Sequence, residues 1–299
     1  MKLTSYNSPE EGIRACFGET VTITERYSVG GGDINDASCL KLSNGEEVFV
    51  KSNTVSNKSF FDAEEEGLNA IATTGAIRTP GLICKGVDKK GNFSFLMMEM
   101  IERGRQVKDS YTVFGRELAD MHKADTSGFV TGGDYGFIKD NYIGASEQIN
   151  TAKGSWICFF RECRLEPQIN RAWRYFDEGL RGRMMKLLDR LDELLIEPER
   201  PSLLHGDLWS GNHMIGGDGK VLLIDPAVYV GHAEADLAMT ELFGRLPDDF
   251  YASYSENNPM QYGYKDRRDL YNLYHMLNHL NLFGSGYLSS AAGIVRKYA

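Results

Sequence analysis

Apolar and polar positions alternate in short runs over the N-terminal third of the chain. Strand-like runs span 20–28, 37–42, 47–51 and 93–100, and a helical pattern spans 60–71. After these, helical periodicity dominates and is interrupted only by short strand-like runs. The pattern therefore predicts an α+β chain in two parts. Residues 1–101 would form a lobe with a mixed β-sheet, and residues 102–299 a mainly helical lobe.

A polar run that directly follows an apolar one carries the strongest chemical signal. Residues 203–212 read Leu-Leu-His-Gly-Asp-Leu-Trp-Ser-Gly-Asn, and the apolar run 221–224 precedes Asp225. Phosphoryl transfer needs a carboxylate that accepts the proton of the attacking hydroxyl, and oxygen ligands that hold Mg²⁺ against the phosphates. Asp207 and Asn212 have the spacing of a kinase catalytic loop. Surface turns use the same residue types, but the joint pattern favours a phosphotransferase site.

Two features nearer the N-terminus have the properties of a nucleotide site. Gly30, Gly31 and Gly32 lie between two strand-like runs, where glycine lets backbone N–H groups approach phosphate oxygens. Lys51 ends the alternating run 47–51, in the place of the kinase lysine that contacts the α- and β-phosphates. Glycine triplets are often simple turns, and lysines at strand ends are often solvated edge residues. The glycine triplet and Lys51 therefore support a nucleotide site because they follow each other along the chain in the order found in kinases.

The helical segment 60–71 offers a carboxylate for this lysine. Glu64 lies on the apolar stripe of the segment, and a carboxylate there is costly unless it is paired. We therefore predict an ion pair between Lys51 and Glu64. Glu65 and Glu66 project away from the stripe and are expected in solvent.

The run 93–100 ends where the two lobes of a kinase would be joined. Adenine is expected to form hydrogen bonds with backbone groups near Glu99 and Ile101. Together with the glycine triplet, Lys51 and Glu64, these residues make up the predicted ATP site.

These motifs identify a resemblance that runs nearly end to end. The chain resembles the fructosamine kinase (ketosamine-3-kinase) family, a branch of the aminoglycoside-phosphotransferase-like and protein-kinase-like superfamily. Besides the His-Gly-Asp core, the resemblance is carried by Trp209-Ser210-Gly211, Asp140-Asn141-Tyr142-Ile143-Gly144, Trp156 with Phe159-Phe160, Arg164-Leu165, Gly231-His232 with Glu234-Ala235-Asp236-Leu237-Ala238, and Leu277-Asn278-His279-Leu280-Asn281-Leu282-Phe283-Gly284.

The resemblance implies a two-lobed protein-kinase-like fold and a specific activity. That activity is ATP-dependent phosphorylation of the sugar 3-hydroxyl of ketosamines, the adducts that form when a sugar glycates an amine. The phosphorylated product decomposes and frees the amine, so the implied role is deglycation. In this interpretation Asp207 is the catalytic residue, Asn212 and Asp225 bind Mg²⁺, and Trp209 is a tentative contact to the sugar.

Two further positions have a structural interpretation. Asp236 stands at the start of a helical run that begins at Leu237, and the resemblance to kinases implies that it caps that helix and braces the catalytic loop. His275 and His279 stand four residues apart on the helical segment 268–283. Because no Glu follows the first of them, packing or hydrogen bonding is favoured over a zinc site.

Composition narrows the class of protein. The 299 residues are 42% hydrophobic, which is enough for a large core, and the net charge is −9. That charge argues against binding of nucleic acid or an anionic membrane through a broad basic surface. The five cysteines show no metal or disulfide spacing, and the N-terminus resembles no signal peptide, so free thiols in the cytoplasm are expected.

Two other functions stay open. Another small-molecule kinase, acting on an aminoglycoside or choline, would share the Asp207, Asn212 and Asp225 core but not the longer strings. A non-catalytic nucleotide-binding pseudokinase is the alternative outside enzymes, although every expected catalytic residue type is present. The residues leave open the preferred sugar, the size of the acceptor and the oligomeric state.

Overall fold

A six-stranded sheet forms the N-terminal part of the chain. The computed structural model describes residues 2–30 and 35–299, so the predicted phosphate-binding Gly31 and Gly32 lie outside the described residues. The strands, in the spatial order β1-β5-β6-β4-β3-β2, are antiparallel except for the parallel pair β1-β5. Their bounds are β1 Ser5–Tyr6, β2 Ile23–Ser28, β3 Asp36–Leu42, β4 Glu47–Thr54, β5 Leu82–Asp88 and β6 Phe93–Glu99.

Two helices cover the opposite faces of this sheet. On one face α1 (Pro9–Phe17) packs its Ile13 with Phe95 and other core residues, and on the other face α2 (Lys58–Thr73) packs its Phe61 against Leu96. Successive strand residues point to opposite faces, so a strand enclosed on both sides reads as a continuous apolar run. This explains the unbroken apolar segment in β6.

The rest of the chain is mainly helical. Its helices are α3 Ser110–Lys123, α4 Trp156–Phe159, α5 Glu166–Ala172, α6 Glu178–Asp189, α7 Leu191–Leu194, α8 Glu234–Thr240, α9 Asp248–Asn257, α10 Tyr264–Phe283 and α11 Leu288–Tyr298. A π-helical stretch, Phe160–Leu165, joins α4 to α5, and 3₁₀ turns occur at Val55–Asn57, Trp173–Tyr175 and Ser285–Tyr287. A mixed sheet followed by a mainly helical part confirms the predicted α+β class, whereas the boundary between residues 101 and 102 stays a prediction.

Three pairs of short strands interrupt the helices. They are β7 (Asn141–Ile143) with β8 (Ser146–Gln148), β9 (Ser202–Leu204) with β12 (Tyr229–Gly231), and β10 (His213–Ile215) with β11 (Val221–Leu223). The pairs β9-β12 and β10-β11 enclose the polar run 205–212 and the residues around Asp225. They therefore bring two segments that are separate in the sequence to one place.

The expectation that Glu65 lies in solvent is wrong. Its side chain is buried, with the residue only 3% exposed, and it forms an ion pair with Lys85 of β5 at 2.6 Å. Glu66, in contrast, pairs with Lys139 at the surface. Helix α2 is enclosed by the sheet and by the N-terminal segment at Leu3, so more of its circumference is buried than one apolar stripe predicts.

The state of the cysteines agrees with the prediction from the sequence. All five cysteines are free thiols, as predicted. Within the described ranges, no helix is long and apolar enough to cross a membrane.

Trp156 lies at the centre of the helical core. It is fully buried and its ring contacts those of Tyr135, Phe159, Phe160 and Tyr271. Such a position provides packing rather than a binding surface.

We expect Trp156→Ala to lower the free energy of unfolding by about 3–5 kcal/mol, because the change leaves a cavity that the surrounding rings cannot fill. Trp209→Ala is the control, since Trp209 is 38% exposed; its cost should be about 1 kcal/mol or less. Urea unfolding followed by circular dichroism measures both. Equal losses for the two variants would contradict the assignment of Trp156 to the core.

Candidate active site

One buried carboxylate holds the start of the loop 205–212, the predicted catalytic loop. Asp236 of α8 accepts the N–H of His205 on Oδ2 at 2.7 Å and the N–H of Gly206 on Oδ1 at 2.9 Å. Its Oδ2 also lies 3.2 Å from Nε2 of His122, whose Nδ1 lies 2.8 Å from the hydroxyl of Tyr254. Burial alone would raise the pKa of Asp236, but these partners hold it below its ordinary value.

The predicted bracing role of Asp236 is therefore confirmed, and its predicted capping role is wrong. Helix α8 begins at Glu234, so Asp236 lies inside its first turn and not at its cap. The carboxylate serves backbone donors of the loop instead of those of its own helix. The backbone N–H groups of the loop and those at the start of the helix all need hydrogen-bond acceptors. Only the packing of the loop against the helix decides which of them bind the Asp236 carboxylate.

Gly206 is required by the path of the loop. Its φ is +82°, in the left-handed region, and a Cβ atom there would lie 2.0 Å from the carbonyl oxygen of Ala227. A side chain would strain the backbone and push the two segments apart. The chain can therefore bring residues 205–207 against residues 224–227 only with glycine at this position.

His205 joins the same two segments through hydrogen bonds. Its Nε2 lies 2.9 Å from the carbonyl oxygen of Ile224, and its Nδ1 accepts the N–H of Asp207 at 3.3 Å. Its own carbonyl accepts the N–H of Ala227 at 2.8 Å. Burial lowers the pKa of His205, so the ring is neutral and its Nε2–H donates to Ile224.

Asp207 and Asn212 face each other across the loop. The Asn212 side-chain N–H₂ donates to the main-chain oxygen of Asp207 at 2.8 Å and to its Oδ2 at 2.9 Å. The side-chain oxygen of Asn212 has no hydrogen-bond partner among the described residues. Burial raises the pKa of Asp207 to about 7, against the opposing effect of the Asn212 amide. The carboxylate is thus held in one orientation, with its other oxygen available.

Asp225, Lys51 and Glu64 form a second charged group. Lys51 pairs with Glu64 at 2.5 Å, as predicted, and it also pairs with Asp225. Burial opposes the charge of Lys51, but the two carboxylates hold its pKa above its ordinary value, and the lysine holds the pKa of Asp225 below its own. Asp225 has a φ of +54°, which is uncommon for a residue other than glycine and turns its side chain toward Lys51.

The segment after Asp225 is anchored from a distant part of the chain. Asn141 donates to the carbonyl oxygen of Val228 at 2.7 Å, and Gln148 donates to that of Ala227 at 3.0 Å. Both side chains are buried. They occupy backbone acceptors that would otherwise be buried without partners, and they fix the path that Asp225 begins.

The donor set between these two groups fits a hard cation. Asn212 offers an amide oxygen and Asp225 a carboxylate, and Mg²⁺ is commonly held by one or two such ligands together with phosphate oxygens and water. Among the described residues, no group of three or more His, Cys, Asp or Glu side chains could hold a metal ion without such help. An amide oxygen and a carboxylate are therefore ligands that suit Mg²⁺ when phosphate oxygens and water complete its coordination.

The segment between the lobes offers fewer free backbone groups for adenine than predicted. The N–H of Glu99 already donates to the carbonyl oxygen of Gly81 at 2.7 Å, and its carboxylate binds Arg78 and the N–H of Gly81. Glu99 could therefore contact adenine only through its carbonyl oxygen. The main chain of Ile101, in contrast, has no hydrogen-bond partner in the described part of the chain.

Trp209 lies at the edge of the catalytic loop. It is 38% exposed, and its ring meets that of Phe243 edge-on at 6.1 Å; Phe243 in turn contacts His279. Gly211 makes room for the indole, since a Cβ there would lie 2.4 Å from it. The loop thus presents an exposed aromatic face beside Asp207.

His275 is a neighbour of the Asp207 carboxylate that the sequence pattern does not predict. His275 is buried, and its Nδ1 lies 3.9 Å from Oδ1 of Asp207 without a hydrogen-bond partner. The prediction that His275 and His279 pack or form hydrogen bonds is confirmed, because Nδ1 of His279 lies 2.8 Å from the main-chain oxygen of His275 and its ring contacts Phe243. No local pattern could have placed α10 against a loop more than fifty residues earlier.

Comparison with known proteins agrees with this geometry. The sequence model of a family described as fructosamine kinase matches residues 5–299. The chain is 41% identical over 290 residues to a "Probable ketoamine kinase" of Synechocystis, covering 95% of this chain and 94% of that protein. It is 43% identical over 283 residues to a chloroplastic protein-ribulosamine 3-kinase of Oryza sativa subsp. indica, covering 94% of this chain and 80% of that protein.

Solved structures lead to the same fold. A protein of Haemophilus somnus, provisionally named fructosamine-3-kinase, superimposes with a TM-score of 0.84 at 28% identity, covering 97% of this chain and 96% of that one. The choline kinase LicA of Streptococcus pneumoniae superimposes with a TM-score of 0.60 at 16% identity, covering 97% of this chain and 96% of that one, and it bears on the fold alone. The predicted two-lobed protein-kinase-like fold is confirmed.

We expect Asp236→Asn to lower the free energy of unfolding by about 2 kcal/mol, because an amide can accept only one of the two loop N–H groups and presents a donor to the other. The exposed Asp218→Asn, in the turn between β10 and β11, is the matched control and should cost less than about 0.5 kcal/mol. Equilibrium denaturation with guanidinium compares them. An unchanged stability of the Asp236 variant would show that the loop does not depend on this carboxylate.

Proposed function

Because this chain belongs to the fructosamine kinase family, we propose that it transfers the γ-phosphoryl group of ATP to the 3-hydroxyl of a ketosamine. One observation carries the proposal more than any other. The Asp207–Asn212 pair lies beside Asp225, because the N–H of Ile224 donates to the main-chain oxygen of Asn212 at 3.1 Å, and Asp225 joins Lys51 and Glu64 from the N-terminal part of the chain. Each member of this set has a stated task in phosphoryl transfer.

On the nucleotide side, Lys51 would bind phosphate oxygens while Glu64 holds its ammonium group in place. Gly30, with Gly31 and Gly32, would cover the phosphates, and Ile101 with the Glu99 carbonyl would bind adenine. Asn212 and Asp225 would hold Mg²⁺. A bound Mg²⁺ neutralises phosphate charge, which lowers the barrier to transfer. These assignments follow from the donor set and from the family's need for ATP.

On the acceptor side, Asp207 would orient the attacking hydroxyl and accept its proton. Its Oδ2 is already bound by Asn212, so Oδ1 is the oxygen left for the substrate. A general base of this kind contributes most when it is positioned before the substrate arrives. Trp209 would pack its exposed indole on the sugar, because aromatic faces bind the apolar C–H faces of such ligands.

The substrate class follows from the relatives. The rice relative is named for action on protein-bound ribulosamines, and the cyanobacterial one for action on ketoamines. Phosphorylation at the 3-hydroxyl makes the adduct unstable, so the product releases the amine and the role is deglycation. With five free thiols in the structure, we place this activity in a reducing compartment, the cytoplasm.

The substrate proposal is tested with purified protein, Mg²⁺ and ATP, against ribulose-lysine, fructose-lysine, choline and an aminoglycoside. Phosphate transfer to one or both ketosamines alone is expected. The same mixtures with EDTA in excess of Mg²⁺ should show no transfer. Transfer to choline or the aminoglycoside alone would move the protein to another small-molecule kinase, and tight ATP binding without any transfer would favour a pseudokinase.

The role of Asp207 is tested separately. Asp207→Asn should lower kcat with ribulose-lysine by at least about 10³-fold, since the amide cannot accept the proton, while the Kd for Mg²⁺–ATP changes little. Asp218→Asn, an exposed aspartate on the adjacent turn, should match the wild type in both quantities. Retained turnover in the Asp207 variant would overturn its assignment as the base.

A further inference from the structure

Helix α2 is attached to the sheet at two places, and the proposed function uses only one of them. The first is the pair between Lys51 and Glu64. The second, which we call the rear clamp, consists of Lys85, Asp62, Glu65 and the main-chain N–H of Leu3. In it, Lys85 pairs with Asp62 and, at 2.6 Å, with Glu65, whose Oε1 accepts the Leu3 N–H at 2.5 Å.

The two attachment points lie in one row across the sheet. Lys51 of β4 and Lys85 of β5 are both register partners of Leu96 in the strand between them. Residues opposite each other in adjacent strands point to the same face, so both lysines reach toward α2. They stand about 9.5 Å apart, which is the width of two strand spacings.

Two attachments of this kind restrict rotation of the helix. Glu64 and Glu65 are adjacent, so their side chains project about 100° apart around the helix axis. Turning α2 to bring either carboxylate away from its lysine disturbs the other pair as well. Since side chains extend about 5–6 Å from the axis, a rotation of 20° would move the Glu64 carboxylate by about 2 Å, enough to break its hydrogen bond to Lys51.

Lys85 and Glu65 of the rear clamp are buried, whereas Asp62 is partly exposed and also pairs with Lys58 outside the clamp. Glu65 is 3% exposed and Lys85 is 6% exposed, while Asp62 has a second partner in Lys58 at 2.6 Å. Although burial opposes the charge of Lys85, the two carboxylates hold its pKa above its ordinary value. Buried ion pairs often contribute little net stability, so such a group calls for a reason beyond stability.

We propose that Glu65 and Lys85 are positioning residues, which set the rotation of α2 and thereby hold Glu64 on Lys51. The inference rests on the proposed nucleotide site. It extends that site to the N-terminal segment, because the Leu3 N–H is bound to the same carboxylate and β1 pairs in parallel with β5 at Lys85. Loosening the clamp would weaken nucleotide binding from behind the helix, without touching any residue that contacts the nucleotide.

The test starts with Glu65→Gln. The amide keeps its volume and still accepts the Leu3 N–H, while Lys85 keeps Asp62 as a partner, so folding should be retained. The Kd of a non-hydrolysable ATP analogue with Mg²⁺, measured by calorimetry well below the melting temperature, should rise between about 2- and 30-fold. The KM for ribulose-lysine should stay within about twofold, since the acceptor side does not involve α2.

Glu66→Gln is the matched control. It removes the same charge from the next residue of the same helix, whose partner Lys139 is at the surface. Its nucleotide Kd should equal that of the wild type. An equal rise in both variants would mean that the helix responds to net charge, and it would overturn the positioning role.

The double variant Glu65→Gln/Lys85→Met separates positioning from stability. It removes both buried charges, so no unpaired charge is left and the melting temperature should recover relative to Lys85→Met alone. We expect the nucleotide Kd to stay raised, because no attachment replaces the pair. Recovery of both quantities, or a lowered melting temperature with unchanged Kd in Glu65→Gln, would overturn the inference. A wild-type protein that binds no nucleotide would instead overturn the proposed function and the clamp's role together.

Discussion

The charge of Lys51 is the constraint on which the arrangement of the two lobes depends. The residue is 9% exposed, and a buried ammonium is stable only with acceptors of opposite charge. One acceptor, Glu64, comes from the helix beside the sheet, and the other, Asp225, comes from the helical lobe. Because this single charge binds a carboxylate from each lobe, it holds the two lobes together at the place where the reacting phosphates would lie.

The catalytic loop is stabilised in a different way. Its geometry depends on backbone groups: two N–H groups on the carboxylate of Asp236, a neutral His205 across to Ile224, and a glycine where a side chain cannot fit. Backbone anchors of this kind leave the side chains of Asp207 and Asn212 for chemistry. A loop held by buried polar contacts fixes Asp207, the proposed base, before substrate binds, which lowers the cost of ordering it during a reaction.

Much of the site could be predicted because its chemistry restricts residue type and spacing within short stretches. Asp207 with Asn212, and Lys51 at a strand, are read from a few residues each, and the pairing of Glu64 follows from an acid on an apolar stripe. The expectation that Glu65 lies in solvent is wrong because the apolar stripe identifies only one packed side of α2, whereas the N-terminal segment covers another. The proximity of His275 to Asp207 has no local signal at all.

The sequence by itself determined the α+β class and the main strands and helices, and it indicated the candidate reactive groups, since these depend on periodicity and residue chemistry over a few neighbours. Only the tertiary structure decided which partner each buried carboxylate binds. Asp236 serves the loop and not its own helix, and Lys85 meets Glu65 at the back of α2. The physical reason is that burial and pairing of charges depend on segments far apart in the chain, and their free energy is decided only when those segments pack together.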